Sequence, residues 1–177
     1  HTEVGQNYGW VIENIKNVPI ILDSEQNTIS FPPIINSALT TVTPSTKNIL
    51  IEVTGIDKEA AEDMLSVVVS ILQTAGFEFN ELKITGNKNS TPQLKNRTIV
   101  YDPKFTSEIL GIDMNSSNMV TCLKKCRLDA SVKGKKITCI IPRYRFDIFG
   151  AMDLVEEIAL GYGIANIEPK LSPSTTI

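Results

Sequence analysis

The stretch RYRFDIFGAMDLVEE, Arg143 to Glu157, places Asp147, Asp153, Glu156 and Glu157 within eleven positions, just after Arg143 and Arg145. A helix beginning near Ala151 would set Asp153, Glu156 and Glu157 at i, i+3 and i+4, on one face within about a 100° arc. Each like-charge pair at that spacing costs roughly 0.2–0.5 kcal/mol, partly offset by the positive end of the helix dipole. Two chemistries account for such crowding. The acids can fill a first helical turn and pair with Arg143 and Arg145 at the surface. Alternatively they can hold a hard divalent cation, magnesium above all, because carboxylate oxygens with no His or Cys nearby suit such an ion. Magnesium keeps several waters and takes one or two carboxylates directly, so four acids exceed what one ion needs.

Other reactive side chains carry weaker signals. Cys122, Cys126 and Cys139 are odd in number and face no second Cys/His pair, which points away from a disulfide framework or a zinc site and toward a reducing cytosol. Cys122 and Cys126, one helical turn apart, read as small core residues. Lys124, Lys125, Arg127, Lys133, Lys135 and Lys136 form a basic cluster that is either a solvated face or a salt-dependent contact to a nucleic-acid backbone. The net charge of -3 excludes a chain-wide basic clamp.

These residues need elements to position them. The 177 residues, 42% hydrophobic, suit one ordinary domain or two small ones. No apolar run approaches the roughly 20 residues of a membrane span, and no basic-then-apolar leader opens the chain. The start at His1 rather than Met suggests a piece of a longer chain. VPIILD (18–23) and TISF (28–31) read as a hairpin, FPPIIN as an extended path enforced by Pro32 and Pro33, and NILIEVTG (48–55) as a buried strand. Asp57 caps a helix with Ala61, Met64, Leu65, Val68, Ile71 and Leu72 on its apolar face and Gly76 as terminator. FEFNELKIT then supplies another strand. GNKNSTPQLKN (86–96) is polar and marks a linker, with a domain boundary near residue 92. Beyond it come a strand RTIVY, a short helix ended by Gly111, and a helix capped by Ser116 or Ser117. A β pair around Gly134 and a last helix AMDLVEEIALGYG complete a small α+β module similar to a winged helix-turn-helix.

PRYRFDIFGAMDLVEEIALGYGIANIEPK resembles the end of the B5 domain in the β subunit of phenylalanyl-tRNA synthetase, where proline, arginine, Asp-Ile, Asp-Leu-Val-Glu-Glu and Tyr-Gly recur in this order. FPPIINSALTTVTPSTKNILIEVTG resembles part of the B3/B4 domain in the archaeal and eukaryotic type of that subunit. The resemblance implies an α+β chain: the C-terminal part of a B3/B4 editing-domain α/β unit over 1–91, a small winged-helix-like B5 domain over 92–168, and a linker over 169–177 toward a catalytic-like module.

Further expectations rest on that resemblance alone. The parent enzyme attaches phenylalanine to tRNA(Phe) with ATP and Mg2+ in the cytoplasm, in partnership with an α subunit, and this piece holds no ATP site and is inactive by itself. Asp147, Asp153, Glu156 and Glu157 occupy the family's positions for a magnesium site shared with that α subunit; acids that merely line the subunit interface would look the same. Phe146 stands where a small polar residue is common. B3/B4 hydrolyses tyrosine misattached to tRNA(Phe). Ser30 and Thr54 fall on substrate-binding positions of that pocket, Asn36 and Glu52 on catalytic ones, with Glu52 accepting the tyrosine hydroxyl. From the residues alone, Ser30 and Asn36 equally suit turn caps, and Glu52 and Thr54 outward positions on a strand. The alternative to editing is a non-catalytic module that binds nucleic acid or assembles the α subunit.

Overall fold

The computed structural model describes residues 2–85 and 89–169 and combines helices with small antiparallel sheets. The stretch expected as a linker, 169–177, lies outside the described residues from 170 onward. Two compact units divide at 61/62. That division falls inside a helix rather than in the polar stretch near residue 92. In the second unit Arg143 Nε donates to Asp63 Oδ1 at 2.8 Å, tying the helix to a segment 80 positions away.

In the first unit, α1 (Glu3–Tyr8) starts at Thr2, whose Oγ1 accepts from Gly5 N. A three-stranded antiparallel sheet follows, in the order β1 (Ile21–Leu22), β2 (Thr28–Phe31), β3 (Ile35–Asn36). The β1–β2 hairpin forms as the sequence predicts. Asp23 organises its turn: Oδ2 accepts from Asn27 Nδ2 at 3.0 Å, and Oδ1 from Asn27 N at 2.8 Å and Glu25 N at 2.9 Å; the two bonds from Asn27, its side chain first, hold the carboxyl below the ordinary aspartate value. FPPI does not run extended. Ile34 N donates to Phe31 O at 2.7 Å, closing a turn that folds β3 back on β2 with Phe31 opposite Ile35 and Ser30 opposite Asn36. NILIEVTG forms no strand: Ile51 and Val53 are half-buried and Glu52 and Thr54 exposed, an alternation of burial without a ladder among the described residues. β-propensity describes how a residue fits a sheet, and supplies no neighbour to pair with.

The helix α2 (Lys58–Thr74) begins where expected, with Asp57 Oδ1 accepting from Ala60 N at 2.7 Å, and ends before Gly76 at φ +93°. Its buried residues are Ser66 and Val69, whereas Met64 and Ile71 are exposed, so the packed face is rotated from the predicted one. Ser66 can be buried because its hydroxyl donates to Asp63 O at 2.6 Å. FEFNELKIT contributes only β4 (Leu82–Lys83), paired with β5 (Ser90–Thr91) from the stretch read as a linker.

The rest of the second unit is built around β6 (Arg97–Tyr101), α3 (Pro103–Leu110), α4 (Ser116–Lys125), β7 (Asp129–Lys133), β8 (Lys136–Ile141) and α5 (Ala151–Tyr162). Asn115 caps α4, its Oδ1 accepting from Asn118 N at 2.9 Å, in place of the serines expected there. Gly111 ends α3 at φ +64° and Gly134 turns the β7–β8 hairpin at φ +61°. The sheet order β6-β8-β7 makes β8 central, which is why Ile137, Cys139 and Ile141 are fully buried. They pack with Met119, Leu123, Leu154 and Ile158 from α4 and α5 in one hydrophobic core.

Candidate functional site

In the first unit, β2, the turn after it and the segment 48–54 enclose a cleft of about 1260 Å³. Ser30, Asn36, Glu52 and Thr54 all line it, so the structure brings together the residues expected to act on a tyrosyl ester. The strand register explains half of this, since Ser30 and Asn36 are cross-strand partners and Ser30 Oγ donates to Asn36 Oδ1 at 2.8 Å. Ser30 is nearly buried, at 8% exposure, while Asn36, Glu52 and Thr54 are exposed. Glu52 and Thr54 are both exposed and both line the cleft, whereas Ile51 and Val53 on either side of Glu52 are half-buried.

The remaining lining combines apolar side chains such as Ile21, Ile29, Phe31 and Leu50 with the polar Ser37, Thr46 and Asn48. Among the described residues Glu52 is the one charged side chain in it. Such a lining can pack an apolar group against the isoleucines and Phe31 and accept a hydrogen bond at the Glu52 carboxylate. Among the described residues the lining holds no His, Cys, Lys or Arg, and its polar side chains are hydroxyls, amides and one carboxylate.

The acids of the second unit are arranged differently. Arg145 clasps Asp147 with Nε to Oδ1 at 2.9 Å and Nη2 to Oδ2 at 2.7 Å, and the same Nη2 reaches Glu157 Oε1 at 2.5 Å. This guanidinium holds the Asp147 carboxyl below the ordinary aspartate value, and both carboxylates raise the pKa of Arg145. Asp153 Oδ2 accepts from Phe149 N at 2.7 Å and Gly150 N at 2.8 Å, capping the amino end of α5. Glu156 is exposed.

Magnesium does not fit this donor set. Asp147 has both oxygens engaged, Glu157 shares its cation with Asp147, and a positive guanidinium stands between them where an ion would need to approach. Among the described residues no group of three or more His, Cys, Asp or Glu side chains gathers in a metal-holding arrangement. Of the four acids in RYRFDIFGAMDLVEE, Arg145 pairs with Asp147 and Glu157, Asp153 caps the helix, and Glu156 faces solvent.

One supporting residue, Arg97, and the partners of another, Arg143, escaped the sequence reading. Arg97 Nη2 donates to Arg145 O at 3.1 Å and Ile148 O at 3.0 Å, fixing the loop that carries Arg145 and Asp147. Arg143, expected to pair with nearby acids, turns to Asp63 and Glu62 instead, at 2.8 and 3.5 Å. Neither pairing has a local signal, since both partners are distant in sequence. The cysteines are unpaired thiols; burial pushes Cys139 up to about 11, and Cys126 Sγ donates to Glu157 O at 3.2 Å. Lys125 Nζ donates to Gly161 O at 3.0 Å near the carboxyl end of α5, which removes one member of the basic cluster to a structural bond.

Residues 99–164 match the tRNA synthetase B5 domain family. A phenylalanine–tRNA ligase β subunit of Methanocaldococcus jannaschii is 40% identical over 164 residues, 91% of this chain. The chain belongs to the phenylalanine–tRNA ligase β-subunit family. The β subunit of Methanococcus vannielii is 37% identical over 174 residues, covering 98% of the chain and 31% of that relative. In the M. jannaschii β subunit the matched share is 30%, so the chain spans about 30% of the length of the curated β subunits it matches. A solved N-terminal fragment of the phenylalanyl-tRNA synthetase β subunit from Pyrococcus horikoshii superimposes with a TM-score of 0.84 at 29% identity, covering 90% of this chain and 47% of the fragment. Among the described residues no helix is long and apolar enough to cross a membrane.

Proposed function

We propose that the cleft lined by Ser30, Asn36, Glu52 and Thr54 is part of an editing pocket that hydrolyses tyrosine from mischarged tRNA(Phe). The parent enzyme in this reading is the ligase that attaches phenylalanine to tRNA(Phe) with ATP in the cytoplasm, together with its α subunit. Residues 1–91 then belong to the B3/B4 editing domain and 92–168 to a winged-helix-like B5 domain. The observation that carries this reading is the convergence of four residues on one cleft of mixed polar and apolar lining, in which Glu52 is the single charged group among the described residues.

The chemistry follows from the side chains. Glu52 accepts the hydroxyl of a bound tyrosine; phenylalanine has none to offer, and where the bound ring shields the carboxylate from water the missing partner disfavours the correct ester. Thr54, which lines the same cleft, borders the ring. Asn36 offers amide donors to the ester, where charge develops on the carbonyl oxygen as water adds. Ile21, Ile29 and Phe31 restrict solvent around the ring.

The test is tyrosine release from Tyr-tRNA(Phe) by the parent α and β complex, with and without Glu52→Ala. Release that falls in the variant supports the reading. Equal rates, or no release by the unmodified complex, would remove it.

A further inference from the structure

Ser30 and Asn36 face each other across β2 and β3, and their hydrogen bond is directional. A serine hydroxyl carries a single proton, and here it is committed to Asn36 Oδ1 at 2.8 Å. Ser30 itself is 8% exposed, whereas Asn36 is exposed in the cleft. A primary amide has two unlike ends, an acceptor oxygen and a nitrogen with two donors. Holding the oxygen on the buried serine turns the donor nitrogen toward the open side. Without that bond the amide can flip, and its oxygen would then face the reacting ester and repel a developing oxyanion.

We infer that Ser30 is a positioning residue that fixes the side-chain amide of Asn36 with its N–H donors toward the cleft, and that it does not itself bind the substrate. This rests on the editing reading above, within which resemblance alone would place Ser30 among the substrate contacts. The geometry separates the two roles: a positioning residue acts through Asn36, so its removal should cost nothing further once Asn36 is gone.

The experiment is a double-mutant cycle on the parent α and β complex, reading kcat and KM for release of tyrosine from Tyr-tRNA(Phe). Ser30→Ala should lower kcat about five- to tenfold, the scale of one hydrogen bond, with KM unchanged. Ser30→Ala combined with Asn36→Ala should match Asn36→Ala alone. A raised KM with intact kcat in Ser30→Ala would make Ser30 a direct substrate contact and overturn the inference, as would multiplying effects in the double variant. Should Ser30→Ala lower the thermal midpoint sharply, Ser30→Thr and Ser30→Val settle the matter, because they have the same shape and differ in the hydroxyl. Faster release by the Thr variant supports the role, and equal rates overturn it. No release by the unmodified complex would instead overturn the editing reading itself, and this inference with it.

Discussion

Arg145 Nη2 lies 2.5 Å from Glu157 Oε1 while the same guanidinium holds Asp147 from two positions away. One cation thereby joins the loop before α5 to the second turn of that helix, and neutralises a pair of acids that would otherwise repel. The Glu157 side chain is 13% exposed, so removing that partner leaves a mostly buried carboxylate unpaired.

Replacing Arg145 by Ala should therefore destabilise the protein by about 2–3 kcal/mol, somewhat below the loss typical when a fully buried pair is broken. Arg145→Lys should recover only part of this, because an ammonium lacks the planar fork that engages Asp147 with two nitrogens. Urea unfolding midpoints of the three proteins measure both effects.

The same arrangement predicts indifference to magnesium. Anything that binds the folded state alone raises the unfolding midpoint. With Arg145 occupying Asp147 and Glu157 and with Asp153 capping α5, adding magnesium or EDTA should leave the midpoint of this chain unchanged, as read by thermal melts. A rise with magnesium that disappears in Glu156→Gln would show that the acids admit an ion.

Asp147 adds a small dependence on pH. Its folded-state pKa lies below the ordinary aspartate value because Arg145 hydrogen-bonds the carboxylate. The contribution is fully present above that ordinary value, about 3.9, and is lost as pH falls through the lower folded value. The Asp147 side chain is 58% exposed, which keeps the effect under about 1 kcal/mol. Asp147→Asn should flatten this part of the acid limb in urea midpoints taken from pH 6 downward, and leave the shape of the neutral region unchanged.

Gly161 identifies a close approach between α4 and α5. A methyl group there would come within 2.8 Å of the Cys122 Cα, and Cys122 O lies closer still. Backbone cannot yield as a flexible side chain does. Gly161→Ala should cost about 2–3 kcal/mol through overpacking, although alanine is the better helix former on an exposed helix. Gly9→Ala meets nothing within 4 Å and serves as the comparison in the same thermal melts.

The helices were the most legible features of the sequence because their signals are local. Asp57 caps α2 and Gly111 ends α3 with contacts that span only a few residues. The cap of α4 shows the limit of that reading: Asn115 and the serines after it are all good caps, and only backbone geometry selects the asparagine. NILIEVTG carries the composition of a strand, yet a strand also needs a neighbour, and no ladder forms there among the described residues. The packed face of α2 was misjudged for a related reason. Ser66 looks solvent-facing until its bond to Asp63 O is seen, and Asp63 is in turn held by Arg143 from 80 positions away. In the cleft, the residue types of Ser30, Asn36, Glu52 and Thr54 were readable by resemblance, but their convergence required the turn at Pro32 and Pro33 that pairs β3 with β2. The acids were visible as a crowd, and the division of the two arginines between near and distant partners was not.

The most direct test of the editing assignment is the ratio of the hydrolysis rates of Tyr-tRNA(Phe) and Phe-tRNA(Phe) by the parent α and β complex, before and after Glu52→Gln. An amide keeps the size of the carboxylate and removes its charge. The cleft geometry predicts that the unmodified complex prefers the tyrosyl ester and that Glu52→Gln reduces this preference about tenfold or more, chiefly by slowing tyrosine release. An unchanged ratio in the Gln variant would contradict the assignment of Glu52 as the group that reads the tyrosine hydroxyl.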